Sequence, residues 1–139
     1  MCTVLYAAAD APLPEMAEET PRRPLSVRAV SGPEESVRAH FTKPHVYFLG
    51  AYTGCSCGFK YGQGVAADPR GHASVRALGT YLTMAVASVG PMELYACRDG
   101  DQGKPPAKSE VVSPGHFAGE ADRFLLAEGW FATVVPPAG

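Results

Sequence analysis

The stretch from Asp68 to Pro91 constrains the fold more than any other part of the chain. Asp68-Pro69 reads as an N-cap followed by a proline in the first helical turn, where a missing N–H costs nothing. Val75, Leu78, Leu82, Val86 and Val89 then recur at spacings of three and four, which lays one apolar stripe along a helix over 68–89. Gly90-Pro91 supplies the stop. His45–Leu49 before this helix and Met92–Cys97 after it are short runs rich in aromatic, branched and long apolar residues, and they read as strands. A strand, a helix and a second strand make a crossover that is expected to be parallel and right-handed.

The remaining elements are shorter. Thr3–Ala9 is an apolar run too short for a helix and reads as a buried strand. Pro12, Pro14, Pro21 and Pro24 make the segment that follows it an extended loop. Leu25–Val30 alternates as a half-buried strand does. Ser31-Gly-Pro-Glu34 reads as a helix start, with Ser31 as the cap and Glu34 placed for a capping box, and the helix runs to about Phe41 before Pro44. Glu110–Val112 and Trp130–Val135 read as strands, while His116–Leu126 suits either a helix or a strand. The expectation is one α+β domain over 1–139, a mixed sheet of about five strands with two main helices. Val4, Val46, Phe48, Leu78, Leu82, Val86, Leu94 and Val134 are expected in its core.

Composition narrows the function. Of 139 residues, 46% are hydrophobic and 19% charged, so the chain can bury a core, and the net charge of -2 offers no basic stripe for a nucleic-acid backbone. No apolar stretch reaches the roughly 18 residues of a membrane span. The amino-terminal residues carry no basic region ahead of Asp10, so a cytoplasmic protein is expected. There, four cysteines are expected to be thiols, redox groups or metal ligands rather than a disulfide framework.

The most unusual segment is Thr53-Gly-Cys-Ser-Cys-Gly-Phe59. Gly54 and Gly58 bracket two thiols, and glycine lets backbone approach a ligand closely. Lys60 beyond them would favour thiolate, the nucleophilic and metal-binding form. In the expected topology, Cys97 and the Asp99-Gly-Asp101 turn come to the same sheet edge as Cys55 and Cys57. If the first strand runs antiparallel to its neighbours, Cys2 joins them, and four thiols form a zinc arrangement. Thr53, Gly54, Gly58, Lys60, Asp99 and Asp101 are the candidate ligand-binding residues around this edge. Cys55 and Cys57 are the candidate nucleophiles, with Lys60, His72 or Asp99 assisting. Gly62–Ala67 matches a loose dinucleotide-binding pattern but follows a loop rather than a strand.

Three stretches, Met1–Pro14, Lys43–Phe59 and Glu93–Asp101, resemble parts of small uncharacterised bacterial proteins that keep a Thr-Gly-Cys-x-Cys-Gly-Phe core. The resemblance implies a compact stand-alone domain and no particular activity. The residues leave three readings. The first is binding of a small molecule or a metal such as zinc at the cysteine edge, without turnover. The second is a thiol-dependent enzyme using Cys55 or Cys57, and the third an interaction module whose cysteines are structural. A nucleic acid or a membrane is not among the expected partners.

Overall fold

The computed structural model describes residues 3–16, 23–60, 68–118 and 127–136. Six strands form one mixed sheet: β1 (Thr3–Ala9), β2 (Ser26–Ala29), β3 (His45–Gly50), β4 (Met92–Arg98), β5 (Lys108–Val112) and β6 (Trp130–Val134). Three α-helices are α1 (Cys57–Lys60), α2 (Pro69–Val89) and α3 (Gly115–Ala118), and a 3₁₀ helix spans Gly32–His40. The domain is α+β, with one strand more than the sequence suggests.

The strand order is β2-β3-β1-β4-β6-β5. β1 lies between β3 and β4 and is antiparallel to both, with Leu5 opposite Leu49 on one side and Ala96 on the other. β3 and β4 therefore run in the same direction, as a crossover through α2 requires, but β1 separates them in the sheet. The hydrogen-bonded parallel pair is β5 with β6. At the far edge, Met16 and Val27 exchange backbone hydrogen bonds, so the segment after β1 closes over the outer side of β2.

Strand alternation sends side chains to two cores. Leu5, Ala7, Leu49, Leu94 and Ala96 meet Val75, Leu78, Leu82 and Val86 of α2. Val4, Tyr6, Phe48, Tyr95 and Cys97 form the other cluster, together with Val37 of the 3₁₀ helix. All eight residues expected in the core are buried. β1 is buried on both faces, which is why its sequence is a continuous apolar run rather than an alternation.

α2 begins and ends where its sequence signals lie. The Asp68 carboxylate accepts from the Arg70 N–H, and Gly90 takes φ 82° at the C-cap, a conformation that side chains with a Cβ rarely adopt. The expected capping box at Ser31 does not form, because the Ser31 side chain makes no cap hydrogen bond. Glu34 is drawn elsewhere: its carboxylate pairs with Arg28 at 2.7 Å and accepts from the Tyr6 hydroxyl at 3.1 Å. The segment winds as a 3₁₀ helix rather than an α-helix.

Candidate functional site

The cysteine segment leaves the carboxyl end of β3 and folds into a tight turn. Gly54 takes φ 83°, and the Ala51 N–H donates to the Cys55 carbonyl at 3.0 Å. Gly58 is required by packing: a Cβ there would lie 2.6 Å from that of Ala51. The glycines thus bring the backbone close to other parts of the same loop.

Ser56, between the two cysteines, is fully buried and holds the loop to the sheet. The Leu5 N–H donates to its Oγ at 2.9 Å, and the Oγ–H donates to the Leu49 carbonyl at 2.6 Å. Leu5 and Leu49 are register partners, so the hydroxyl is a relay inside the β1–β3 ladder. Nothing in the sequence marked Ser56, since its partners are 51 and seven residues away.

The thiols themselves are half-buried. Cys55 Sγ lies 3.5 Å from Thr53 Oγ1, and Thr53 also donates to the Cys55 carbonyl at 2.9 Å. Cys57 Sγ lies 3.8 Å from the carbonyl oxygen of Thr3. Thr3 Oγ1 is buried and has no hydrogen-bond partner. Lys60 ends α1 and is exposed, and His72 sits in the first turn of α2, half-buried.

Cys97 stands opposite Val4 across β1–β4, and its side chain joins the cluster on the side of the 3₁₀ helix, whereas Phe59 of the cysteine loop enters the core on the α2 side. Burial, reinforced by the carboxylates of Asp101, Asp99 and Glu128, pushes its thiol up to about 12. A thiol held protonated in this way is neither a ready nucleophile nor a ready ligand. Asp99 accepts from Gln102 Nε2 at 3.1 Å, and Asp101 lies 3.4 Å from Lys104 Nζ. Gln102 is buried and also donates to the Tyr6 hydroxyl, while its carbonyl lies 2.8 Å from His40 Nε2. The turn after β4 is thereby pinned to the sheet and to the 3₁₀ helix.

Cys2 lies outside the described residues, as does the Gly62–Ala67 pattern. Among the described residues, no group of three or more His, Cys, Asp or Glu side chains is arranged to hold a metal ion.

A cleft of about 810 Å³ opens beside α2. One wall is Pro12, Leu13, Pro14 and Met16 with Pro24 and Leu25; the other is the α2 face carrying Ala77, Tyr81, Met84, Ala85 and Val89. These helix positions form a second stripe beside the one that packs on the sheet. The prolines build an apolar wall with no N–H to satisfy. The Tyr81 hydroxyl donates to the Pro14 carbonyl at 2.6 Å and ties the wall to the helix. Burial, with Tyr47 and Glu15 nearby, pushes that hydroxyl up to about 12. Met84, on the open side, is 70% exposed. The sequence carried a signal for this site in the 77, 81, 84, 88 spacing and in the prolines flanking it.

Among the described residues, no helix is long and apolar enough to cross a membrane. Comparison of the chain with family models, with curated proteins and with solved structures gives no match.

Proposed function

We propose that the protein is a non-catalytic binding domain that takes a small apolar molecule in the cleft between α2 and the proline-rich wall. The observation that carries this reading is the cleft itself. Its volume of about 810 Å³ lies within the range of roughly 300–1,000 Å³ common for small-molecule sites, and its lining is predominantly apolar. Two methionines, Met16 and Met84, border it, and flexible thioethers adapt to ligands of varied shape.

Nile red, a neutral apolar dye, tests the reading. Its fluorescence should rise saturably with the protein, and amide shifts should move along Ala77–Val89 and at Leu25 rather than in Thr53–Phe59. Met84→Asp places a charge in the wall at an exposed position, where folding is unaffected, and should weaken binding at least about tenfold. Non-saturable binding, or a variant that binds as the parent does, overturns the proposal.

A metal or ligand at the cysteine loop is the second reading. One observation favours it: the buried, unpartnered Thr3 Oγ1 in the residue whose carbonyl meets Cys57. A thiol-dependent reaction at Cys55 or Cys57 would draw on the same loop. Stoichiometric zinc in protein purified without added metal would support a metal site, and one thiol alkylating unusually fast at neutral pH would support an enzyme. Neither result would leave the cysteines structural.

A further inference from the structure

The two edges of the sheet are finished differently. At the β2 edge, the backbone of Met16 pairs with Val27, so the chain closes that side itself. β5 forms the other edge, and among the described residues nothing pairs with its outer side. The Lys108 N–H donates to the Gly129 carbonyl and the Val112 carbonyl accepts from the Val135 N–H, so both residues turn their backbone groups to β6. By strand alternation Glu110 does the same, whereas Ser109 and Val111 turn theirs outward. Val111 is also 69% exposed, so its side chain as well as its backbone faces water.

Charged side chains on an edge usually keep further strands from adding to it. β5 carries two of opposite sign, Lys108 and Glu110, which lie 3.6 Å apart on one face of the sheet. Opposite charges set across from each other in paired strands attract and like charges repel, so register decides whether a second copy fits. In an antiparallel pairing of β5 with itself, the outward groups of Ser109 and Val111 allow three two-fold registers. Centring on Glu110 sets the two carboxylates against each other. Centring on Val111 sets Glu110 against Val112 and Lys108 against Pro114, and satisfies no charge. Centring on Ser109 sets each Lys108 against Glu110 of the other copy and lays Val111 beside the exposed Ala107. In that register the two Ser109 residues exchange both backbone hydrogen bonds across the axis. A net charge of -2 leaves little repulsion between copies.

From this edge we infer that the chain self-associates: two copies join β5 to β5, antiparallel about Ser109, into one continuous sheet. A strand pair this short buries less than a permanent interface does, so the dimer is reversible and forms at high concentration. β5 lines no part of the cleft beside α2, and the inference does not depend on what that cleft binds.

Sedimentation velocity of the full chain from about 10 μM to about 1 mM should show reversible dimerisation. In a mixture of isotope-labelled and unlabelled copies, NMR should find the Hα of Lys108 against the Hα of Glu110 between molecules, the close pair of this register. Glu110→Lys and Lys108→Glu each set like charges across the axis, and each alone should weaken dimerisation at least about tenfold. Mixed in equal amounts, the two variants set Lys against Glu at both positions and should pair as the parent does. Recovery in the mixture also excludes misfolding as the cause of the loss. Nile red binding should be the same in the parent and both variants, so this inference and the reading of the cleft fail separately. A parent that stays monomeric at about 1 mM overturns the inference. So does a dimer without contacts between copies at β5, a dimer that either variant forms undiminished, or a mixture that does not recover.

Discussion

Between two half-buried thiols, the hydroxyl of Ser56 takes the place of a direct ladder bond between Leu5 and Leu49. Removing it strands an N–H and a carbonyl in the interior, and each unpaired buried group costs about 1–3 kcal/mol. Ser56→Ala should therefore lower unfolding stability by at least about 1–3 kcal/mol in urea titrations, more than typical surface substitutions. A loss below about half a kilocalorie per mole would mean that the strands close up without the relay. Residue identity made the cysteines conspicuous, whereas the role of Ser56 exists only once β1 and β3 are paired. The thiols can also be told apart. Mass spectrometry after brief alkylation of the native protein should find Cys55 and Cys57 modified and Cys97 untouched until the chain is unfolded, because Cys97 is buried and its thiol pushed up to about 12. Native labelling of Cys97 at a rate like that of the loop thiols would contradict its placement.

At the scale of elements, legibility followed how local the determining interactions are. α2 carries its cap, stripe and stop within its own sequence, and the observed helix matches them from Pro69 to Val89. The 3₁₀ helix does not, since Glu34 serves partners on β1 and β2 instead of its own first turn. α1, four residues within a glycine-bracketed loop, left no periodic pattern to read. β5 has exposed, charged and polar positions, and its identity as a strand depends on parallel pairing with β6. The α2 stripe gives a direct test. Leu82 is fully buried against the sheet, so Leu82→Ala should cost about 2–5 kcal/mol, read as a shift of the urea midpoint at unchanged slope. A much smaller loss would require the neighbours to collapse into the space.

Across the whole molecule, the insertion of β1 between β3 and β4 decides what the candidate residues can do together. The crossover was readable from sequence; the strand lying inside it was not, because β1 is far along the chain from both partners, with Leu5 opposite Leu49 on one side and Ala96 on the other. Alternation along β4 then commits Cys97 to the face of the 3₁₀ helix, with Tyr6 and Tyr95, and gives this molecule a shared sensitivity to base. Burial raises the Cys97 thiol from 9.0 to about 12, and raises the Tyr81 and Tyr95 hydroxyls from 10.0 to about 12. Each group holds its proton more tightly in the folded chain than in the unfolded one. Stability from this source is complete below pH 9.0 and falls as the unfolded chain releases protons first, until the folded groups titrate near 12. The urea midpoint should be level between about pH 7 and 8.5 and drop clearly by about pH 10.5. Cys97→Ala should flatten the onset of that drop near pH 9.0, where the tyrosines do not yet contribute, and leave the steeper part above 10.0 in place. A midpoint that stays level to about pH 11 would show that these groups ionise as easily in the folded chain as outside it, and would contradict their burial.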